Sequence, residues 1–352
     1  MNAGRVAPQS RLAVNWEPLL CRRLYCVGRR ESTWRDGSAG SDILGSGDAV
    51  IPFIHIGPIE MPTFGLMVAT AMLIAYYVLR ADMARRGIAE KNSATAETFI
   101  IIPALAGIAG AKLYHLLETP RELFAHPVEL LLSRYGLAWF GGLIGGFAAW
   151  VLVARWKKIP LLASFDAGPA AAAIGYGIGR IGCLLSGDGD YGVPTSLPWG
   201  MSFPKGLVPT TQTCVEQGWL PDCRVHPTPI YELIVACAIA WMLWKMGTAQ
   251  ITAMEHDASP TLAKTARMGH PDGRNRRQDA GATRGRWLRP GCVFAAYLTL
   301  TGITRFLVEF IRINPRSFLG LTNAQAASFV SMIAGAALWW SVSREKNATR
   351  SS

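Results

Sequence analysis

Two arginines in this 352-residue chain lie where a charged side chain is costly. Arg180 ends a long run of apolar and small residues that starts at Leu161 and is interrupted only by Asp166, and Arg305 lies inside a second apolar segment. A guanidinium at the edge of hydrocarbon costs several kcal/mol, so such a residue indicates a functional site. Because a planar guanidinium fits a phosphate group bidentately, Arg180 predicts recognition of an anionic headgroup, a phosphate above all.

Acidic and aromatic side chains accompany these arginines. The segment 179–192, Gly-Arg-Ile-Gly-Cys-Leu-Leu-Ser-Gly-Asp-Gly-Asp-Tyr-Gly, is rich in glycine and acid after the arginine, which favours backbone bending around a ligand. The segment 226–232, His-Pro-Thr-Pro-Ile-Tyr-Glu, opens a later apolar run with a phenol and a carboxylate. Arg305 and Glu309 are spaced i, i+4 and Arg312 follows three residues on, which predicts that all three share one helix face.

The elements that must position these groups are membrane helices. Half of the residues are hydrophobic and only 17% are charged, which is typical of a polytopic membrane protein. We therefore predict an all-α fold with seven transmembrane helices. The apolar windows long enough to cross a bilayer fall at 62–79, 96–117, 136–154, 161–185, 228–246, 288–311 and 319–341.

The net charge of +11 is concentrated in the loops that follow the odd-numbered windows. Because Lys and Arg favour the cytoplasmic side, this asymmetry predicts an external N-terminus and a cytoplasmic C-terminus. The basic excess is a topology signal, with contact to anionic lipids, and requires no nucleic acid.

Segments of polar composition flank or interrupt the predicted transmembrane domain, 49–345. Residues 1–48 are Arg-rich and predict a disordered extension, or translation from a start codon upstream of the true one. The prolines of the external loop 186–227 disfavour regular helix, whereas 247–286 is predicted to be a disordered, basic cytoplasmic insertion before the final tail, 346–352. Cys214 and Cys223 can form a disulfide in the external loop or remain two free thiols.

The combined motifs resemble those of the prolipoprotein diacylglyceryl transferase family, and the resemblance covers about 50–345. The chain has the features of a divergent member. The matching motifs are Phe140-Gly-Gly-Leu-Ile-Gly-Gly146, Gly179-Arg-Ile-Gly182, Pro198-Trp-Gly200, His226-Pro-x-x-x-Tyr231-Glu232 and Arg305-Phe-x-x-Glu309-Phe-x-Arg312.

The resemblance implies an enzyme of the bacterial inner membrane that transfers diacylglyceryl from phosphatidylglycerol to the lipobox cysteine of secreted prolipoproteins. A thioether forms and glycerol phosphate leaves, without a metal or cofactor. The catalytic residues would be Arg180, Arg305, Glu309, Asp188 and Asp190. Phosphatidylglycerol would contact Arg180, Arg305, Gly141, Gly142, Gly192, Tyr231, Glu232 and His226.

Two departures from the family pattern leave the general base open. Phe140 stands where many members have a His or Tyr, and Cys183 replaces the usual Asn. The base could be Asp188, Asp190 or His226, or the field of the arginines alone could lower the pKa of the acceptor thiol.

Structural roles are the alternative for each motif. Arg180 could pair with Asp166 or Glu309, Asp188 and Asp190 could be solvated turn residues, and His226 an ordinary loop residue. The glycines at 141–146 could form a tight helix crossing instead of contacting substrate. At the level of the whole chain, the alternatives are a non-catalytic lipid-binding or transport protein and a lipid-modifying transferase with another acceptor.

Overall fold

The computed structural model describes residues 50–88, 94–120, 138–221, 223–258, 289–316 and 320–344, together with 123, 128 and 131. Within these residues a short antiparallel hairpin precedes a set of helices. The predictions for 1–48 and 346–352 concern residues outside the described ranges. The strands are β1 (Phe53–Ile56) and β2 (Ile59–Pro62). The helices are α1 (Thr63–Arg85), α2 (Thr95–Glu118), α3 (Trp139–Trp156), α4 (Leu161–Ala167), α5 (Pro169–Ser186), α6 (Thr210–Glu216), α7 (Thr228–Ala258), α8 (Cys292–Val308) and α9 (Asn323–Arg344).

The described part of the chain contains five helical segments long and apolar enough to cross a membrane. They are Thr63–Arg85, Thr95–Glu118, Leu161–Ser186, Thr228–Met254 and Asn323–Arg344. The third and sixth predicted windows correspond to shorter apolar helices, Phe140–Trp156 and Cys292–Val308. The helical, polytopic architecture is therefore confirmed, whereas the count of seven spans and their orientation stay predictions.

Small residues allow α2 and α3 to pack closely. A Cβ atom built on Gly141 would overlap the carbonyl oxygen of Gly110 and the Cβ of Tyr114, and one built on Gly145 would overlap the carbonyl oxygen of Ala106. Apolar side chains give no net driving force between helices in lipid, so close backbone approach takes its place. The glycine run therefore builds the α2–α3 crossing.

Helix α5 packs against both α1 and α7, and α7 also contacts α8. Small residues of α5, among them Ala170 and Ala173, lie in an apolar core with Leu243 of α7 and Val293 of α8. This packing brings the arginine of α5, the first turn of α7 and the end of α8 to one region of the molecule.

The loop predicted at 186–227 is a folded region with its own apolar core. Tyr191, Phe203 and Val225 are buried there together, and isolated bridges join Pro194 and Met201 to Val225. The prolines do not prevent a short helix, α6, so the expectation of no regular helix is wrong at that point. Cys214 and Cys223, for which the sequence left a disulfide and two free thiols open, form a disulfide with their Cα atoms 6.3 Å apart.

Asp166 fixes the start of α8 from a buried position. Its carboxylate accepts hydrogen bonds from the backbone N–H groups of Gly291 (2.7 Å) and Phe294 (2.9 Å) and from the Gln250 side chain (2.7 Å). Such groups would otherwise be orphaned at a helix N-terminus. Gln250 belongs to α7, which continues to Ala258, so the boundary predicted at 247 falls inside a helix, while 259–286 lie outside the described residues.

Candidate active site

Arg180 and Arg305 converge on one carboxylate. Glu232, in the first turns of α7, forms an ion pair with Arg180, whose Nε lies 3.1 Å from Oε2, and its Oε1 accepts a hydrogen bond from Arg305 Nη1 at 3.0 Å. Arg305 also pairs through Nη2 with Glu309, one helical turn away, at 3.2 Å. The two arginines predicted to bind one phosphate thus bind the two oxygens of one anion, from separate helices.

Arg312 joins the same cluster from beyond the end of α8. Its Nη2 pairs with Asp190 Oδ1, while Arg180 Nη1 pairs with Asp190 Oδ2, so one carboxylate bridges two guanidinium groups. Arg312 Nη1 also lies 3.5 Å from Glu232 Oε2. The expectation that Arg312 shares a helix face with Arg305 is wrong, because α8 ends at Val308 and Arg312 lies in a bridge with Gly192.

The partners of Arg180 were misjudged from sequence. The alternative partners from sequence, Asp166 and Glu309, are engaged elsewhere: Asp166 caps α8 and Glu309 pairs with Arg305. Arg180 instead binds Asp190 and Glu232. Sequence separation hides these contacts, because a tertiary partner leaves no periodic signal along the chain.

Tyr176 is a site residue that sequence reasoning missed. Arg180 Nη2 donates to the Tyr176 hydroxyl at 2.8 Å, and that hydroxyl donates to Glu232 Oε1 at 2.8 Å. The guanidinium carbon of Arg180 also lies 4.7 Å from the centre of the tyrosine ring. The spacing of four residues between Tyr176 and Arg180 could have predicted this contact, since residues four apart face the same side of a helix.

Asp188 and Cys183 lie at the edge of the cluster. Potential ligand atoms of Cys183, Asp188 and Asp190 lie within 4.8 Å of one another, a grouping that the sequence did not predict. Both oxygens of Asp190, however, are already paired with guanidinium groups, and a bound cation would face those same positive charges. The three guanidinium groups of the cluster therefore face carboxylates that already pair with them.

Burial shifts the pKa values of two charged side chains at this site, Arg312 and Asp188. Desolvation, followed by the charge of Arg180, lowers the pKa of Arg312 to about 10, which keeps it protonated at neutral pH. Desolvation raises the pKa of Asp188, although a hydrogen bond from Cys183 and the charge of Arg180 oppose that shift. Arg312 Nε has no hydrogen-bond partner among the described residues, although it is buried.

His226 and Tyr231 lie beside this cluster. His226 Nδ1 is 3.1 Å from the Tyr231 hydroxyl, which accepts a hydrogen bond from Trp199 Nε1 at 2.8 Å. The carbonyl of His226 accepts from the Gly192 N–H at 2.9 Å, and Gly192 faces Arg312 across the bridge. A Cβ atom on Gly192 would lie 2.9 Å from the Ile311 carbonyl oxygen, so only glycine allows this approach.

Gly141 and Gly142 are placed elsewhere. Both lie in the α2–α3 crossing, and no contact described in the structure joins either glycine to the arginine cluster. The structure therefore supports the packing alternative for these two residues. It brings together the other predicted site residues, at 180, 188, 190, 192, 226, 231, 232, 305 and 309.

A cavity of about 650 Å³ lies apart from this site, between α7, α8 and α9. Its lining is mostly apolar, and none of the described residues of the arginine cluster contributes to it. The lining residues are Met246, Ala296, Thr299, Leu300, Ala336, Trp339, Trp340 and Ser343. The charged cluster, rather than this cavity, has the chemistry to act on a phosphate ester.

Comparison with known proteins places the chain in a family. A family model described as "Prolipoprotein diacylglyceryl transferase" matches residues 52–259 and 279–341. A phosphatidylglycerol–prolipoprotein diacylglyceryl transferase of Geobacter sulfurreducens is 29% identical over 303 residues, which cover 84% of this chain and 95% of the relative. Proteins of the same name from Desulfotalea psychrophila (27% over 307 residues, covering 84% and 94%) and Bifidobacterium longum subsp. infantis (26% over 294 residues, covering 81% of each chain) are also similar.

The family match extends over the helices that carry the arginines and the carboxylates, and over the loop between them. The chain belongs to the prolipoprotein diacylglyceryl transferase family.

Proposed function

We propose that this chain transfers the diacylglyceryl group of phosphatidylglycerol to the lipobox cysteine thiol of secreted prolipoproteins, in the bacterial inner membrane. The observation that carries the proposal is the convergence of Arg180 and Arg305 on the two oxygens of Glu232. Two guanidinium groups held that closely match the two non-bridging oxygens of a phosphodiester. Family membership and the membrane helices agree with a lipid substrate.

The reaction breaks one carbon–oxygen bond and forms one carbon–sulfur bond. The acceptor thiolate attacks the glyceryl carbon that carries the phosphate oxygen, and the electron pair of the broken bond leaves with glycerol phosphate. Negative charge on the phosphate therefore grows in the transition state, and fixed guanidinium groups stabilise it. Neither a metal nor a cofactor is required by these groups.

The most exposed guanidinium of the cluster gives the lipid an opening to it. The Arg305 side chain is 27% exposed, compared with 13% for Arg180 and 5% for Arg312. A phosphate arriving from the membrane surface would thus meet Arg305 first and reach Arg180 by competing with Glu232. On the predicted topology this opening lies towards the outer leaflet, where a secreted precursor arrives.

The test is incubation of the purified full-length protein with phosphatidylglycerol vesicles and a lipobox peptide, followed by mass spectrometry. The expected result is a peptide heavier by one diacylglyceryl group, absent when the lipobox cysteine is replaced by serine. Phosphatidylglycerol binding without product would support the lipid-binding or transport alternative. Diacylglyceryl transfer to a different acceptor in membranes, but never to the lipobox peptide, would support the other alternative.

A further inference from the structure

Thioether formation leaves one proton without a destination in the proposed function. A cysteine thiol with an ordinary pKa of about 8.5 is only a few per cent ionised at pH 7, and the thiolate is the competent nucleophile. Some group near the arginines must therefore accept the thiol proton as the sulfur attacks.

Three carboxylates of the cluster are already paired with cations. Asp190 binds Arg180 and Arg312, and Glu232 contacts three guanidinium groups. Glu309 pairs with Arg305 and accepts from the Asn314 side chain at 2.5 Å. The oxygens of these carboxylates already face guanidinium or amide N–H groups, so they are not free to approach the substrate thiol.

His226 is differently placed, because its ring has one nitrogen available. Nδ1 contacts the Tyr231 hydroxyl at 3.1 Å, whereas Nε2 has no partner among the residues that the structure describes. Partial burial lowers the pKa of His226, so the imidazole is neutral at pH 7 and can accept a proton. Its backbone is fixed by hydrogen bonds to Val193 (3.1 Å) and from Gly192 (2.9 Å).

The contacts of Tyr231 orient the ring. Trp199 Nε1 can only donate, so the Tyr231 oxygen accepts from it at 2.8 Å and retains a second lone pair for an N–H on His226 Nδ1. Arg224 holds the Trp199 loop by donating to the carbonyls of Gly200 (2.8 Å) and Pro198 (3.3 Å). This arrangement is that of a base oriented by a third group.

The pair also connects the phosphate-binding cluster to the exposed Trp199. Tyr231 is next to Glu232 in α7, and Gly192 connects His226 to the bridge with Arg312. Glu232 is 5% exposed, whereas Trp199 is 53% exposed. A peptide thiol that approaches a phosphate held by the arginines would therefore pass this pair.

We propose that His226 is the general base of the reaction and takes the thiol proton at Nε2. Tyr231 is the positioning residue, and its hydroxyl oxygen accepts a hydrogen bond from Nδ1–H. This inference rests on the proposed function. As the sulfur–hydrogen bond breaks, the proton moves to Nε2 and the sulfur electron pair forms the bond to the glyceryl carbon. The imidazolium then returns its proton to the departing glycerol phosphate or to water.

The decisive variant is His226→Gln, assayed for thioether formation with the full-length protein in phosphatidylglycerol vesicles. A general base contributes about 10²- to 10⁴-fold, so we expect a loss of at least about 10²-fold in kcat at pH 7, with KM for the lipid unchanged. At pH 9 the thiol is largely ionised without help, and the loss should shrink to less than about tenfold. The matched control is His55→Gln, which changes a histidine that contacts Glu60 on the hairpin.

Tyr231→Phe tests the positioning role. A hydrogen bond accepted from Nδ1–H favours the imidazolium, so its removal should lower the pKa of His226 further. The acid limb of the pH–rate profile should then move to lower pH, with about a tenfold loss in kcat. The other charged groups around this loop, Arg224, Arg312 and Glu232, are unchanged in this variant.

Each outcome decides the matter. If wild-type protein forms no thioether, the proposed function is wrong, and so is the assignment of His226 as its general base. If wild type is active and His226→Gln stays within threefold of it at pH 7, only the base assignment fails. A loss at pH 7 that is larger in Asp188→Asn than in His226→Gln would assign the proton to Asp188 and overturn the proposal.

Discussion

Replacement of Arg305 by lysine separates the shape of the guanidinium from its charge. Arg305 uses two nitrogens for two acceptors, Glu232 at 3.0 Å and Glu309 at 3.2 Å, and it is the most exposed of the three arginines in the cluster. A lysine keeps the positive charge but offers one nitrogen, so it cannot bind two oxygens side by side. By contrast, Arg180 contacts four different side chains and is a poorer test, because its loss would also disturb the fold.

The expected magnitude follows from these contacts. Loss of one donor to a developing oxyanion costs about 2.7–4 kcal/mol, or about 10²- to 10³-fold in kcat. The fold should tolerate the change, because Glu309 still accepts from Asn314 and a lysine can pair with Glu232. We therefore expect Arg305→Lys to lower kcat about 10²-fold while the protein inserts and binds phosphatidylglycerol.

The assay is the initial rate of thioether formation at saturating lipid and peptide, with kcat and KM measured separately. Arg344→Lys is the matched control, because it makes the same chemical change on α9, where Arg344 stacks on Trp340 at 3.6 Å. It should keep kcat within about twofold. If Arg305→Lys retains more than a third of wild-type kcat, net charge alone suffices and the forked recognition of phosphate is refuted.

Three further predictions concern packing, pairing and pH. Gly141→Ala should lower stability by about 1–3 kcal/mol in a thermal unfolding assay, because its Cβ would overlap α2. Gly142→Ala, whose added Cβ would have its nearest contact at 3.5 Å, should change stability little. Loss of activity in a stable Gly142→Ala variant would instead indicate substrate contact. Glu232→Gln should lower stability by about 3–5 kcal/mol, because it leaves buried guanidinium groups uncompensated, and an unchanged Tm would contradict that pairing. Burial raises the pKa of Asp188 in the folded protein, so its ionisation opposes folding above the unfolded pKa. Asp188→Asn keeps the Oδ1 acceptor for the Asp190 N–H and should therefore raise Tm at pH 7 but not at pH 4; a fall at pH 7 would refute it.

The helices and part of the site could be predicted from sequence, because both depend on local patterns. Apolar windows of bilayer length located five helices long and apolar enough to cross a membrane, and two shorter apolar helices. The i, i+4 spacing of Arg305 and Glu309 predicted their ion pair, which requires only that the helix form. Charge in apolar surroundings singled out Arg180 and Glu232 as well.

The alternatives that the sequence left open concern contacts between distant segments. Whether Arg180 pairs with Asp166, Glu309 or another acid depends on which helix face turns inward, and helices that are apolar all round give no such signal. Gly141 illustrates the same limit, since close helix packing and close substrate approach both select for glycine.

What the sequence by itself determined is the set of helices and the residues with the chemistry to bind a phosphate ester. Only the tertiary structure decided that Glu232 lies between Arg180 and Arg305, and that Asp190 bridges Arg180 and Arg312. The reason is physical. Backbone geometry fixes the positions of side chains a few residues apart in a helix. The packing of α5, α7 and α8 and the fold of the 186–227 loop determine which residues pair when they are more than a hundred positions apart, as Asp190 and Arg312 are.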